Sequence, residues 1–111
     1  RGIPLEVCPT SNVCTGALAG QLGRPAATVA DHPLPRLLAA GVPVTLATDD
    51  PGMFHTDLVS EYELCVTALG IAPADLVRFA EAGFAHAFLP PEDRQQFVAR
   101  LRREAAALGL A

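Results

Sequence analysis

Two short runs of strand-forming residues, Leu5 to Cys8 and Val42 to Thr48, flank a stretch that contains a helix. This order constrains the fold more than any other feature of the chain. The intervening helix is signalled by "HPLPRLLAAG", in which Pro33 suits a first-turn position, Leu34, Leu37 and Leu38 share a face, and Gly41 closes the helix. Strand, helix, strand in that order predicts parallel pairing through a helical crossover. Parallel sheets are buried on both faces, and the second run is mostly apolar or small throughout, as such burial demands. Pro43 is tolerable because it lies near the start of its strand. Two strands cannot make a covered sheet, so the pattern asks for more strands than 111 residues supply. The chain also opens on "RGIP", without an initiator methionine and in the manner of a helix handing over to a strand. It reads as a fragment.

The remaining elements are expected to be helical. Residues 13 to 31 carry three glycines and a proline and read as irregular or loosely helical. Thr56 is a plausible N-cap for a helix to about Leu69, with Leu58, Tyr62, Cys65, Val66 and Leu69 as its apolar stripe. Pro73 starts a short helix to about Ala82, ended by Gly83. Pro91 starts the last helix, with Phe97, Leu101, Ala105 and Leu108 on its apolar face and Gly109 as its stop.

Composition excludes several classes of function. The chain is 50% hydrophobic and 18% charged, which is core-forming and not disordered. A net charge of −4 argues against a nucleic-acid surface, which needs clustered Lys and Arg. No apolar run approaches the ~20 residues that span a bilayer, so no membrane partner is expected. Cys8, Cys14 and Cys65 are odd in number, lack the C-x-x-C spacing of a zinc or redox motif and read as reduced packing residues of a cytoplasmic protein.

The site signal is "VTLATDDPGMF", Val44 to Phe54, where an apolar strand ends on two adjacent carboxylates. In parallel α/β folds the functional groups gather at the C-terminal ends of strands. Consecutive strand residues point to opposite sides, so Asp49 and Asp50 are expected to have different partners. One reading is a cation ligand beside a hydrogen-bond acceptor for a ligand. The other is ordinary turn chemistry, because Asp before Pro-Gly favours an Asx-turn. The first strand also ends in a polar cluster, "CPTSN", and two such strand ends converging on one mouth bring the site reading level with the turn reading.

Four segments, "LEVCPTSNVCTGA", "DHPLPRLLAAGVPVTLATDDPGMF", "TDLVSEY" and "AFLPPE", together resemble the C-terminal portion of the adenosine deaminase family. The resemblance covers nearly the whole chain. It implies an α/β fold, namely strands seven and eight, with their helices, of a (β/α)8 TIM barrel. Residues 1–111 would then be the C-terminal fragment of one such barrel domain, with the remainder of the barrel missing. It further implies one Zn2+ per complete barrel and zinc-dependent hydrolytic deamination of adenosine- or deoxyadenosine-type nucleosides to inosine-type products and ammonia. On that resemblance Asp49 is the carboxylate ligand of the metal, and Asp50 accepts a hydrogen bond from the purine nucleoside substrate.

The family's other zinc-ligating histidines, and the glutamate of its His-Ala-Gly-Glu motif, have no counterpart in this chain. No catalytic residue is therefore assigned, and the isolated fragment is expected to be inactive. His32 falls in the family's "HPL" and reads as structural. His55 reads as a solvated loop residue near the motif, and His86 has no catalytic counterpart. Ala47, Ala82 and Ala87 stand where the family usually carries Asn or Ser, Asn, and Ser, which marks a divergent member. The "TDDP-x-MF" form favours a nucleoside deaminase. The alternatives are an adenine or aminodeoxyfutalosine deaminase of the same family, or a non-catalytic α/β remnant.

Overall fold

The structure is a computed structural model that describes residues 1–110. Strands β1 (Leu5–Val7) and β2 (Val44–Leu46) pair in parallel, with Leu5 opposite Val44, Glu6 opposite Thr45 and Val7 opposite Leu46. Backbone bonds from Leu5 N–H to the Pro43 carbonyl (2.9 Å) and from Ala47 N–H to the Val7 carbonyl (3.0 Å) extend the ladder at both ends. Both strands are shorter than their apolar runs suggest.

Between them lie α1 (Pro9–Cys14), α2 (Ala17–Leu22), a 3-10 turn at Val29–Asp31 and α3 (Leu34–Ala39). The polar cluster after β1 is thus the start of a helix and not a turn. Pro9 occupies a first-turn position, where its missing N–H costs nothing. Residues 13–31, expected to be irregular or loosely helical, contain two short helices and a capped 3-10 turn. In that turn Asp31 accepts the Thr28 N–H at 2.9 Å and pairs with Arg24 at 2.8 Å. Gly41 then adopts φ +72°, the left-handed conformation that ends α3 and turns the chain into β2.

After β2 come α4 (Pro51–Phe54), α5 (Leu58–Thr67), α6 (Pro73–Ala85) and α7 (Pro91–Ala107). Asp57, and not Thr56, caps α5, accepting the Ser60 N–H at 2.7 Å. The Thr56 hydroxyl is engaged elsewhere. The buried face of α5 also differs from the expected stripe: Leu58 and Val66 are exposed, whereas Glu61 and Cys65 are fully buried. Helix α6 runs on through Gly83, which places Phe84 against Phe97 of α7 in a stacked pair 5.3 Å apart. That contact outweighs the glycine's preference to end the helix. On α7 only Ala105 of the expected face is buried, and Leu108 lies in solvent.

The core is Val7, Leu34, Val44, Leu46, Cys65, Ile71 and Phe79, with α3, α5 and α6 packed against the sheet. Each fully buried large apolar side chain contributes about 1.5–3 kcal/mol. No helix among the described residues is long and apolar enough to cross a membrane.

Candidate active site at the strand ends

The C-terminal ends of β1 and β2 lie side by side, and each leads into a helix that opens with proline. Asp49 leaves β2 in the left-handed region, at φ +60°. Aspartate tolerates that conformation better than most residues, but the chain still turns sharply there. The turn separates the two carboxylates. Asp49 points back toward β1 and accepts the Ser11 hydroxyl on Oδ2 at 2.7 Å. Asp50 points forward and caps α4, accepting the Met53 N–H on Oδ1 at 2.8 Å. Different partners were expected from strand alternation; they arise instead from the left-handed kink, because the strand has already ended at Leu46.

Asp50 performs the turn chemistry, yet its residue is exposed and only one oxygen is committed to the cap. Asp49 is also exposed, and among the described residues its Oδ1 accepts no side-chain hydrogen bond. A free carboxylate oxygen held by a partner on the other oxygen suits a zinc ligand. The described residues hold no group of three His, Cys, Asp or Glu side chains able to bind a metal. Cys8 lies beside the pair. Its thiol is raised by burial and by the carboxylates of Glu6, Asp49 and Glu61, partly offset by the Asp49 backbone N–H.

Helix α1 is fastened at three successive residues. Thr10 N–H donates to Oε2 of Glu61 at 3.1 Å, Ser11 donates to Asp49, and Asn12 Oδ1 meets His32 Nε2 at 3.0 Å. His32 is buried, as its structural reading requires. Its Nδ1 accepts the Leu34 N–H at 3.1 Å, so the proton sits on Nε2 and is donated to Asn12. Burial holds the His32 imidazole below its usual range. His55 ends α4 with φ +50° and is exposed, and His86 caps α6 in solvent.

Sequence reasoning passed over Ser11 and Glu61. Ser11 stood inside a cluster read as a turn. Glu61 lies four residues before Cys65, on the helical face that is buried, and that spacing was the available signal.

A two-stranded parallel sheet wrapped by helices, with polar side chains collected at the strand ends, is the architecture of part of a (β/α)8 barrel. A solved adenine deaminase from Arthrobacter aurescens superposes with a TM-score of 0.82 at 27% identity, covering 95% of this chain and 30% of that one. The N6-methyl-AMP deaminase from Arabidopsis thaliana gives a TM-score of 0.78 at 30% identity, covering 95% and 29%. In sequence, an aminodeoxyfutalosine deaminase of Acidothermus cellulolyticus is 52% identical over 73 residues, 66% of this chain and 18% of its own length. An adenine deaminase of Rhizobium leguminosarum bv. trifolii is 41% identical over 100 residues, 90% of this chain and 29% of its own length. The adenosine deaminase family profile matches residues 1–104, and the chain belongs to that family. It spans less than a third of the length of these relatives.

Proposed function

We propose that this chain supplies the last two strand-helix units of a zinc-dependent deaminase acting on 6-aminopurines, with Asp49 as a metal ligand and Asp50 as a substrate acceptor. The observation that carries the reading is the divergence of the two carboxylates. Each is anchored through one oxygen, by Ser11 and by the Met53 N–H, and each keeps a second oxygen for another partner. When bound, zinc supplies an activated water at neutral pH. The chain's own residues then have separable tasks. Asp49 holds the metal with a carboxylate whose orientation Ser11 fixes. Asp50, stiffened by its cap, accepts a hydrogen bond from a purine ring nitrogen that carries a proton. Three free thiols accord with a cytoplasmic setting.

The relatives support the choice of substrate class. Two of them are named for adenine and aminodeoxyfutalosine, and an Arabidopsis relative of the same fold was solved in complex with IMP. Adenine and aminodeoxyfutalosine share a 6-amino group, and IMP carries the 6-oxo group that replaces it on deamination, so the first substrates to try are adenine and aminodeoxyfutalosine, with adenosine and deoxyadenosine beside them. The test is ammonia release from each, together with zinc content, using the gene product that contains this chain. Turnover of at least one, abolished by chelation and restored by zinc, is the expected result. A folded, zinc-loaded protein that releases ammonia from none of the four would overturn the proposal.

A further inference from the structure

We infer that Glu61 is a positioning residue that fixes α1, and through it the grip of Ser11 on Asp49. This rests on the reading of Asp49 as a metal ligand given above. Glu61 is fully buried, and its carboxylate is costly to place there unless its oxygens find donors. Both do. Oε2 accepts the Thr10 N–H at 3.1 Å, and Oε1 accepts the Thr56 hydroxyl at 2.6 Å.

The two donors come from different strand ends. Thr10 lies in the first turn of α1, after β1, and is the direct neighbour of Ser11. Thr56 lies between α4 and α5, beyond the end of β2 and next to His55. A single carboxylate thus ties together the two segments that bear the site. At the start of α1 its role is not duplicated, because Cys8, the N-cap residue of that helix, makes no side-chain capping bond, and the other anchors, at Ser11 and Asn12, lie further along. Helix α1 is only six residues long and cannot hold its own position. The Ser11 hydroxyl is aimed at Asp49 over 2.7 Å, a distance that a small drift of α1 would forfeit.

Three substitutions separate positioning from packing. Glu61→Gln keeps the length and keeps an acceptor for the Thr10 N–H, while its amide NH2 can donate to the Thr56 hydroxyl oxygen. Glu61→Leu keeps the bulk but offers no acceptor. Glu61→Asp, shorter by about 1.5 Å, keeps the charge but cannot reach both donors; it serves if the leucine variant does not fold. Turnover and zinc affinity in Glu61→Gln should stay close to wild type. Glu61→Leu should lose about 10- to 100-fold, with Glu61→Asp between them. Two further readouts decide the matter.

Hydrogen exchange over residues 9–14 should accelerate in Glu61→Leu or Glu61→Asp and not in Glu61→Gln. Unchanged exchange in α1 would overturn the inference whatever the activity. Ser11→Ala combined with Glu61→Leu or Glu61→Asp should be little worse than Ser11→Ala alone, because both act through one bond. Fully multiplicative losses would show that Glu61 only packs, and would overturn the positioning role. A wild-type protein without purine turnover would defeat the functional reading alone. Exchange, and the same cycle read on zinc dissociation, would still decide the role of Glu61.

Discussion

Asparagine at positions 49 and 50 separates the roles assigned to the two aspartates, because in each place the amide preserves the structural bond. At position 49 the backbone is left-handed at φ +60°, which Asn adopts as readily as Asp. Its carbonyl oxygen can still take the Ser11 hydroxyl, now held at 2.7 Å. At position 50 Asn caps a helix as well as Asp does, so the Met53 N–H keeps its acceptor. Neither change should cost more than about 0.5 kcal/mol of stability. What each removes is a negative charge. Asp49→Asn should therefore lower zinc occupancy and turnover together, since charge and affinity at a metal ligand are coupled.

Asp50→Asn should leave zinc near stoichiometric. Hydrogen bonds to charged groups are worth roughly 1.5–3 kcal/mol and neutral ones roughly 0.5–1.5, so the expected loss is about 1–1.5 kcal/mol. That corresponds to about one power of ten in kcat/KM. Asp50→Ala loses the whole bond, about one to two powers of ten. It also loses the α4 cap, about 1 kcal/mol of stability. The assay is zinc by atomic absorption beside kcat/KM and thermal midpoint for all three variants. If Asp50→Asn loses the metal while Asp49→Asn keeps it, the assignment of the pair is reversed. If both keep full metal and full turnover, neither aspartate belongs to the site.

Three further outcomes follow from the same structure. Burial holds His32 below its usual value of 6.5, so its neutral form stabilises the fold above that pH and the contribution is lost as pH falls below it; the thermal midpoint of wild type should drop faster below pH 6.5 than that of His32→Asn. Among the thiols, exposed Cys14 should react first with Ellman's reagent, while Cys65, pushed up to about 11 by burial and by Glu61, should stay unreactive until unfolding. The 111-residue chain by itself leaves Ile3 at 60%, Met53 at 68% and Phe88 at 109% exposed, so sedimentation should show self-association; a monomer with a cooperative melt would refute that.

The parallel pairing, the α3 crossover and the proline starts of α6 and α7 were legible because each depends on local chemistry: strand composition, a first-turn proline, a closing glycine. The elements that were not legible depend on distant partners. Pro9-Thr10-Ser11-Asn12 has the composition of a turn, and it becomes helical in a setting where α5, Asp49 beyond β2 and the His32 segment each take one of its polar groups. Thr56 has the composition of a cap, but Asp57 is the better one and leaves the Thr56 hydroxyl free for Glu61. Glu61 itself breaks the expected apolar stripe of α5. A charged residue on a buried face reads as an error until the donors above it are known.

The placement of two carboxylates at the end of an apolar strand has the same kind of explanation. Side by side in an extended strand they would leave the sheet with no assured donor for either. The left-handed residue at Asp49 costs of order 1 kcal/mol of backbone strain, and it turns the pair apart. Each carboxylate then gains a fixed donor, a buried hydroxyl for Asp49 and a helix amide for Asp50, worth about 1 kcal/mol apiece. The strain is thereby more than offset. What results is two carboxylates held still by one oxygen each, with the other oxygen of each left over. A turn needs only one of them; the second, Asp49, reaches back to Ser11 and so fastens α1 beside the strand ends.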